Sequence, residues 1–524
     1  MSFKRQLKLV LSPENNLLWL CLLAVAALAT RLPHLIALAN PSTDMLLTYA
    51  PTLAAARFEQ CARAILHGTE AGNAFAFASP MYILLLVPVY ASGLTDISIF
   101  IIQSLAGIVT AYAVFFLAFR LGSSRHIAFS ASLLWIFYAP AALYEAALLP
   151  VSVLSLLIIL WAHMETGMSK TVLTLILLGL TAGMITTLRP PFILLGGYSI
   201  IRRLVRRDLR STILVTAGFA VPLLAVSAFH YHEDGVFSPF ASSLGINLIQ
   251  GHAEGASGYG PPIPEYGLIE NTSENIHEVG VRVAAERGCF TESEANRFWL
   301  NEAITWILNN PSDELHLIGV KLGAFSGFLP FDSYFDLARD IESDSSLKHL
   351  ILPRSVLMLL LFQGLFSWLF FSKKNWYVML PFTTVFITTV VFFPCERYWV
   401  PAIPVSLALA ASGTSILIRK INTDRWKSLT VIFLALLALL PGLLWPVPEI
   451  PEGMYFFNRG VKAFNMNNHV LALRLFEESI RLSPPRSTIA VQARVQSVNI
   501  AASLGMTERA REHLLVLQEL GIAP

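Results

Sequence analysis

Charge is what this chain has least of. Of its 524 residues only 14% are Asp, Glu, Lys or Arg, where soluble proteins carry about 25%. That shortage excludes the row of soluble domains that the length alone would suggest. An excess of one sign is lacking too. The 37 Lys+Arg against 35 Asp+Glu leave a formal net charge of +2, which gives no basis for a nucleic-acid partner, since those call for basic patches. Cysteine is scarce: Cys21, Cys61, Cys289 and Cys395 form no CxxC or other metal-ligand spacing and are too few for a disulfide framework. No P-loop, GxSxG, HExxH or strand–helix GxGxxG is present. The sequence indicates no cofactor; it leaves a divalent-metal requirement open without pointing to one.

What is abundant is apolar. Such residues make up 55% of the chain, and mean hydropathy is +0.60. They come in uncharged runs: Ile97–Phe119, Ile127–Tyr144, Leu149–Ala162, Thr171–Leu188, Ser211–Phe229, Ser355–Ser372, Trp376–Pro394, Trp399–Ile418 and Ser428–Val447. Most approach the roughly 20 residues a helix needs to cross the hydrocarbon of a bilayer. Leu17–Leu38 is a further span, read as a retained signal anchor, and Phe75–Leu94 and Pro190–Ile201 are weaker candidates. The expected fold is an all-α polytopic membrane protein.

Positive charge sets the expected orientation. Lys4, Arg5 and Lys8 place the N-terminus in the cytoplasm, and Arg202, Arg203, Arg206, Arg207 and Arg210, then Lys373 with Lys374, then Arg419, Lys420, Arg425 and Lys427, mark cytoplasmic loops. Three regions are then extracytoplasmic: a large loop over 230–354, the short Cys395–Tyr398 turn, and the tail. Opposite termini demand an odd number of spans, expected to be 11 or 13. The domain reading is a membrane domain over 1–450 and a helical domain over 451–524.

Residues 39–78 read as an outer amphipathic segment. Leu46, Leu47, Leu53, Phe58, Ile65 and Leu66 recur at helical spacing between polar residues, as one or two helices lying at the membrane surface. In the large loop, Gly255–Pro264 is irregular. Thr291 with Glu294 forms a capping box opening a helix to about Asn309, which Pro311 ends. In the tail, Phe456, Gly460, Ala472, Phe476, Ser479 and Pro484 fall at the spacing of a tetratricopeptide repeat, and Ala510 and Leu514 belong to a looser second copy. So short an array is expected to pack on the membrane domain or on a protein partner.

The few charges near the outer ends of spans are the candidates for function. These are Asp44, Glu59, Glu145, Arg189 (in Leu188-Arg189-Pro190-Pro191), Glu396 and Arg397. Bland roles compete: Asp44 suits a helix cap, Glu59 an ion pair with Arg57 or Arg63, Arg189 a snorkelling anchor, and Tyr398 and Trp399 an interfacial belt. Arginine binds phosphate by paired hydrogen bonds, and a carboxylate takes a proton from a hydroxyl. Together they suit chemistry on an anionic lipid.

The order of these features resembles the GT-C superfamily of integral-membrane glycosyltransferases, in the branch akin to protein mannosyltransferases and aminoarabinose transferases. It comprises a signal anchor, an outer amphipathic segment, Phe77-Ala78-Ser79-Pro80-Met81-Tyr82, Tyr144-Glu145, Gly183 before Leu188-Arg189-Pro190, a large outer loop, and Glu396-Arg397-Tyr398-Trp399-Val400-Pro401. In that loop, Gly245-Ile246-Asn247 through Gly251-His252 and Gly258-Tyr259 resembles a glycine-asparagine signature of the branch. The resemblance implies a helical bundle of 11–13 transmembrane helices at a bacterial inner membrane. It implies transfer of one sugar, with inversion, from a polyprenyl-phosphate-linked donor to an acceptor lipid, glycan or protein at the outer face. The usual first-loop Asp aligns with Ala54, so the resemblance leaves Asp44 or Glu59 as the catalytic carboxylate. Arg189, Arg397, Lys321, Glu145, Tyr398, Asn247 and His252 are the implied donor-binding residues. Two other readings stand beside it: an altered relative acting as a scaffold through its repeat tail, and a transporter or flippase of lipid-linked sugars.

Overall fold

A computed structural model describes residues 13–49, 53–69, 79–167, 171–240, 243–260, 263–268, 276–332, 335–350, 352–372 and 375–522. Lys4, Arg5, Lys8, Phe77, Ala78, Lys373, Lys374 and the side chain of Ala54 lie outside the described residues. The named elements of the described chain are all helices, and Ile263 and Leu268 form an isolated bridge. This is what a bilayer demands, since a helix satisfies its backbone hydrogen bonds within one segment.

Six described helices are long and apolar enough to cross a membrane: Leu17–Ala39, Asp96–Arg120, Leu209–His232, Arg354–Phe371, Glu396–Lys420 and Arg425–Leu444. Pro80–Ala91, Val151–Thr166, Val172–Leu188 and Trp376–Val391 are shorter apolar helices. Two expected spans divide. Ile127–Tyr144 becomes Arg125–Ile136 and Ala139–Glu145, with Pro140 opening the second piece. Ser428–Val447 becomes Arg425–Leu437 and Leu440–Leu444, with Pro441 at the second start. Proline fits a first turn but not a helix interior, so the apolar run continues while the helix restarts.

Glu396–Lys420 is the centre of the bundle, 83% buried over its apolar window, whereas Leu17–Ala39, Leu209–His232 and Arg425–Leu444 are 28% buried and form its rim. Helices touch through glycine. A Cβ on Gly179 would stand 2.2 Å from the Val215 carbonyl oxygen, and one on Gly183 2.5 Å from that of Phe219, so Val172–Leu188 lies backbone to backbone on Leu209–Asp234. Small residues four apart permit that approach.

The described part of the amphipathic segment expected over 39–78 forms two helices, Thr43–Tyr49 and Leu53–His67. The large loop has its own core around Trp299, Ile246, Val279 and Ala303, with Trp299 Nε1 donating to the Gly280 carbonyl at 2.8 Å. Its capping box forms as expected at Thr291 and Glu294, and the helix runs Glu292–Asn309. Pro311 then opens a second helix, Pro311–Ser326. The tail is four helices, Glu452–Asn465, His469–Leu482, Thr488–Ser503 and Thr507–Glu519. Leu47 of the outer segment belongs to the tail's core beside Phe457, Phe476 and Ile500. The tail is docked, not free.

One expectation needs correction. Cys395–Tyr398 is not an open turn: Glu396–Trp399 is helical and runs on through Val400–Ala402 into Ile403–Lys420. Glu396 and Arg397 are buried as a result.

Candidate functional site

A cavity of about 1180 Å³ lies where the bundle, the outer loop and the tail meet. Arg189, Arg397, Tyr398 and Asn247, expected from sequence to act together, all line it. Arg189 follows the last residue of Val172–Leu188 and has an extended backbone, φ −151°. Pro190 enforces this by disfavouring the helical region for the residue before it, and the turn swings the side chain off the helix axis. Its guanidinium lies 4.0 Å from the ring centroid of Tyr398, a favourable cation–π distance. Its Nε is buried without a hydrogen-bond partner, and no ion pair to Arg189 occurs among the described residues.

Arg397 lies 5.3 Å from the same ring centroid and is held by Asp332, a residue sequence reasoning did not single out. Asp332 Oδ1 accepts from Arg397 Nη1 at 3.1 Å. Its Oδ2 accepts from Tyr144 Oη at 2.6 Å, Cys395 Sγ at 3.0 Å and the Arg397 backbone N–H at 3.3 Å. A carboxylate so fully engaged fixes the guanidinium in place. Arg57 and Glu278, also on the wall, form an ion pair.

Arg189 Nε, Gln250 Nε2 and Thr384 Oγ1 of the wall are buried without a hydrogen-bond partner among the described residues. Unpaired buried polar groups are rare because each forfeits its hydration. Their gathering on one cavity is what a polar ligand would relieve. Gln250 adjoins the Gly251-His252 motif, a signal that could have found it.

His252 and Lys321 stand behind the wall. His252 Nδ1 lies 2.7 Å from Glu314 Oε2 and its Nε2 2.7 Å from the carbonyl oxygen of Val391, a wall residue. Lys321 Nζ lies 2.9 Å from His252 Nε2 and donates to Val390 O at 3.3 Å. Burial pulls the Lys321 ammonium down to about 8, and burial with the Lys321 charge lowers His252. A Cβ on Gly251 would stand 2.0 Å from the Phe392 carbonyl oxygen, so only glycine passes here. These residues set the wall in place without facing its contents.

The other expected residues lie elsewhere. Glu145 is buried and makes a two-pronged pair with Arg31, Oε1 to Nη2 at 3.0 Å and Oε2 to Nε at 3.1 Å. It ties the first span to the bundle and does not face water. Glu59 pairs with Arg63 at 2.8 Å along one helix and is absent from the wall. Asp44, with a side chain 70% exposed, accepts from Arg459 of the tail at 2.5 Å. The structure thus brings neither Asp44 nor Glu59 to the cavity.

The tail supplies another part of the wall instead: Phe457, Asn458, Val461 and Lys462 from Glu452–Asn465, and Thr488, Ile489 and Gln492 from Thr488–Ser503. Glu449, on the connection into the tail, also lines it, with no hydrogen bond or ion pair among the described residues. Among the described residues no group of three or more His, Cys, Asp or Glu is placed to hold a metal ion. Comparisons with protein-family models, with curated proteins and with solved structures return no match, so the geometry of this cavity is the basis for assigning a role.

Proposed function

We propose that the chain is an integral-membrane glycosyltransferase that moves a sugar from a polyprenyl-phosphate-linked donor to an acceptor hydroxyl at the outer membrane face, with inversion. The observation that carries this reading is Arg189, a cation without an ion pair among the described residues, seated on Tyr398 in a cavity that is otherwise largely apolar. Next to it the wall runs through Pro190, Ile193 and Leu194 on one helix and Ile387 and Val391 on another. Ile193, Leu194, Ile387 and Val391 are each about two-fifths exposed, which suits a hydrocarbon chain entering beside its phosphate.

In the reaction the acceptor oxygen bonds to the anomeric carbon while the bond from that carbon to the phosphate oxygen breaks. The lipid phosphate leaves with the electron pair, and Arg189 and Arg397 stabilise its developing charge. The acceptor proton passes to a carboxylate. Glu449 takes that role here, since Asp332 and Glu278 are engaged and Asp44 and Glu59 stand outside the cavity. Lys321 and His252 are positioning residues, Asn247 a polar contact of the wall, and Glu145 part of the frame.

In the same reading the tail is a pair of tetratricopeptide-like repeats on the outer face of a bacterial inner membrane, with the N-terminus cytoplasmic. Full burial of Ala472, Phe476 and Ser479, and the seating of Gly460 against the Phe476 ring, support the repeat assignment.

The test is sugar transfer by the purified full-length protein in lipid nanodiscs, supplied with radiolabelled polyprenyl-phosphate sugars. Arg189→Ala is expected to lower turnover on the order of 10²-fold, the loss typical of one oxyanion donor. Unchanged turnover in Arg189→Ala would overturn the assignment. A second reading, an inactive relative that binds the lipid and serves as a scaffold, is favoured by Ala54 at the family's usual Asp position. Tight donor binding with no turnover would select it.

A further inference from the structure

The tail sends one side chain into the cavity whose burial needs explaining. Lys462, on Glu452–Asn465, is only 5% exposed and yet lines the cavity. Its Nζ donates to the Thr48 carbonyl at 3.0 Å and lies 5.1 Å from the ring centroid of Phe335. No carboxylate lies within ion-pair distance of it among the described residues. An ammonium has three N–H donors, and removing it from water is costly unless hydrogen bonds and an opposite charge compensate.

Lys462 also joins the cations already described. Phe335 packs on Tyr144 at 5.8 Å, Tyr144 donates to Asp332, Asp332 holds Arg397, and Arg397 shares the Tyr398 ring with Arg189. Among the cations of the wall, Arg57 is neutralised by Glu278 and Arg397 by Asp332. Arg189 and Lys462 have no carboxylate within ion-pair distance among the described residues, although the charges of Asp340 and Asp332 reach Lys462 from further off.

We propose that Lys462 completes the anion site from the tail side, so that the cavity takes a lipid diphosphate head group, and that the membrane domain without its docked tail holds an incomplete site. Arg189 and Lys462, neither held in an ion pair among the described residues, are matched to the two charges of a glycosyl diphosphate lipid, with Glu449 of the same wall left to the acceptor. A glycosyl monophosphate lipid carries one. The inference rests on the lipid-phosphate reading above and adds the charge of the head group and the part of the chain that reads it. It also gives the docked tail a direct part in ligand binding, whatever further partner the tail has.

Equilibrium binding of two probes, farnesyl diphosphate and farnesyl monophosphate, to the full-length protein in nanodiscs tests it. Wild type is expected to prefer the diphosphate by about ten-fold, the scale of one charge-assisted hydrogen bond. Lys462→Met is expected to erase that preference and Lys462→Arg to keep it, so that loss of fold and loss of charge are separated. Arg189→Ala is expected to weaken both probes. An unchanged preference in Lys462→Met, or no preference in wild type, overturns the role of Lys462 while leaving the lipid-phosphate reading intact. If neither probe binds wild type, or Arg189→Ala changes neither affinity, the lipid-phosphate reading fails and this inference falls with it.

Discussion

Asp332 and Asp44 differ in what surrounds them, and that difference fixes what each can do. Asp332 is 2% exposed and accepts from four donors on Tyr144, Cys395 and Arg397. Asp332→Ala strands a buried guanidinium, at an expected cost of about 3–5 kcal/mol, read as a lowered thermal midpoint. Asp44, 70% exposed, makes one pair with Arg459, and Asp44→Asn is expected to cost less than about 1 kcal/mol and to leave sugar transfer running. Loss of transfer in Asp44→Asn would return the base role to Asp44. Arg189, Arg397 and Tyr398 were legible in the sequence because a charge or a polar aromatic interrupting an apolar run stands out. Asp332 and Lys462 were not. Their significance lies in partners far along the chain, 188 residues from Tyr144 to Asp332 and 414 from Thr48 to Lys462, and no local pattern records such pairs.

Elements in this bundle are placed by small residues as much as by apolar ones. Gly179, Gly183 and Gly218 let Val172–Leu188 and Leu209–Asp234 meet at their backbones, and that contact aims Arg189, one residue beyond the helix end. Gly179→Val would drive a side chain into the Val215 carbonyl and is expected to destabilise by at least about 1–3 kcal/mol. Gly197, where an added Cβ meets nothing within 4 Å, is the control: Gly197→Ala is expected to leave the thermal midpoint level or raise it. The apolar runs announced most of these helices. They did not announce the breaks before Pro140 and Pro441, because an uncharged run continues across a helix end. Nor did they show that Glu396–Trp399 is helical, since two charges beside a proline read like a turn until a buried partner is found for each. Glu396 has Arg354 at 3.2 Å and Arg397 has Asp332.

At the scale of the whole molecule, the joint between the amphipathic segment, the large loop and the tail holds a carboxyl whose titration bears on stability. Asp340 accepts from Thr48 Oγ1 at 3.3 Å, beneath the tail. Burial pushes its carboxyl up to about 6, against the opposing pull of Lys462 and Arg459. In the unfolded chain the same group titrates near about 3.9. Between those values the folded protein holds a proton that the unfolded chain has released. Asp340 therefore favours folding below about pH 4, and that contribution is lost as pH rises through about 6. Thermal midpoints measured from pH 4 to 7 are expected to fall across this window, and Asp340→Asn is expected to flatten the slope. An unaltered slope in that variant would place the titration elsewhere. The cavity is a property of the same scale, since its wall draws on the bundle, the outer loop and the tail together.

Composition and run length by themselves determined that this chain is helical, with apolar helices long enough to cross a membrane, and that residues 43–67 and 452–519 form amphipathic or polar helices beside them. Those properties follow from the periodicity and polarity of neighbouring residues. Only the tertiary structure decided which of the sparse charges are spent on one another, as in Arg31–Glu145, Arg354–Glu396 and Asp332–Arg397, and which face the cavity without a counter-ion among the described residues. That division depends on distances between segments far apart in the chain. In a low-dielectric interior a few ångströms separate a neutralised pair from a charge that calls for a ligand.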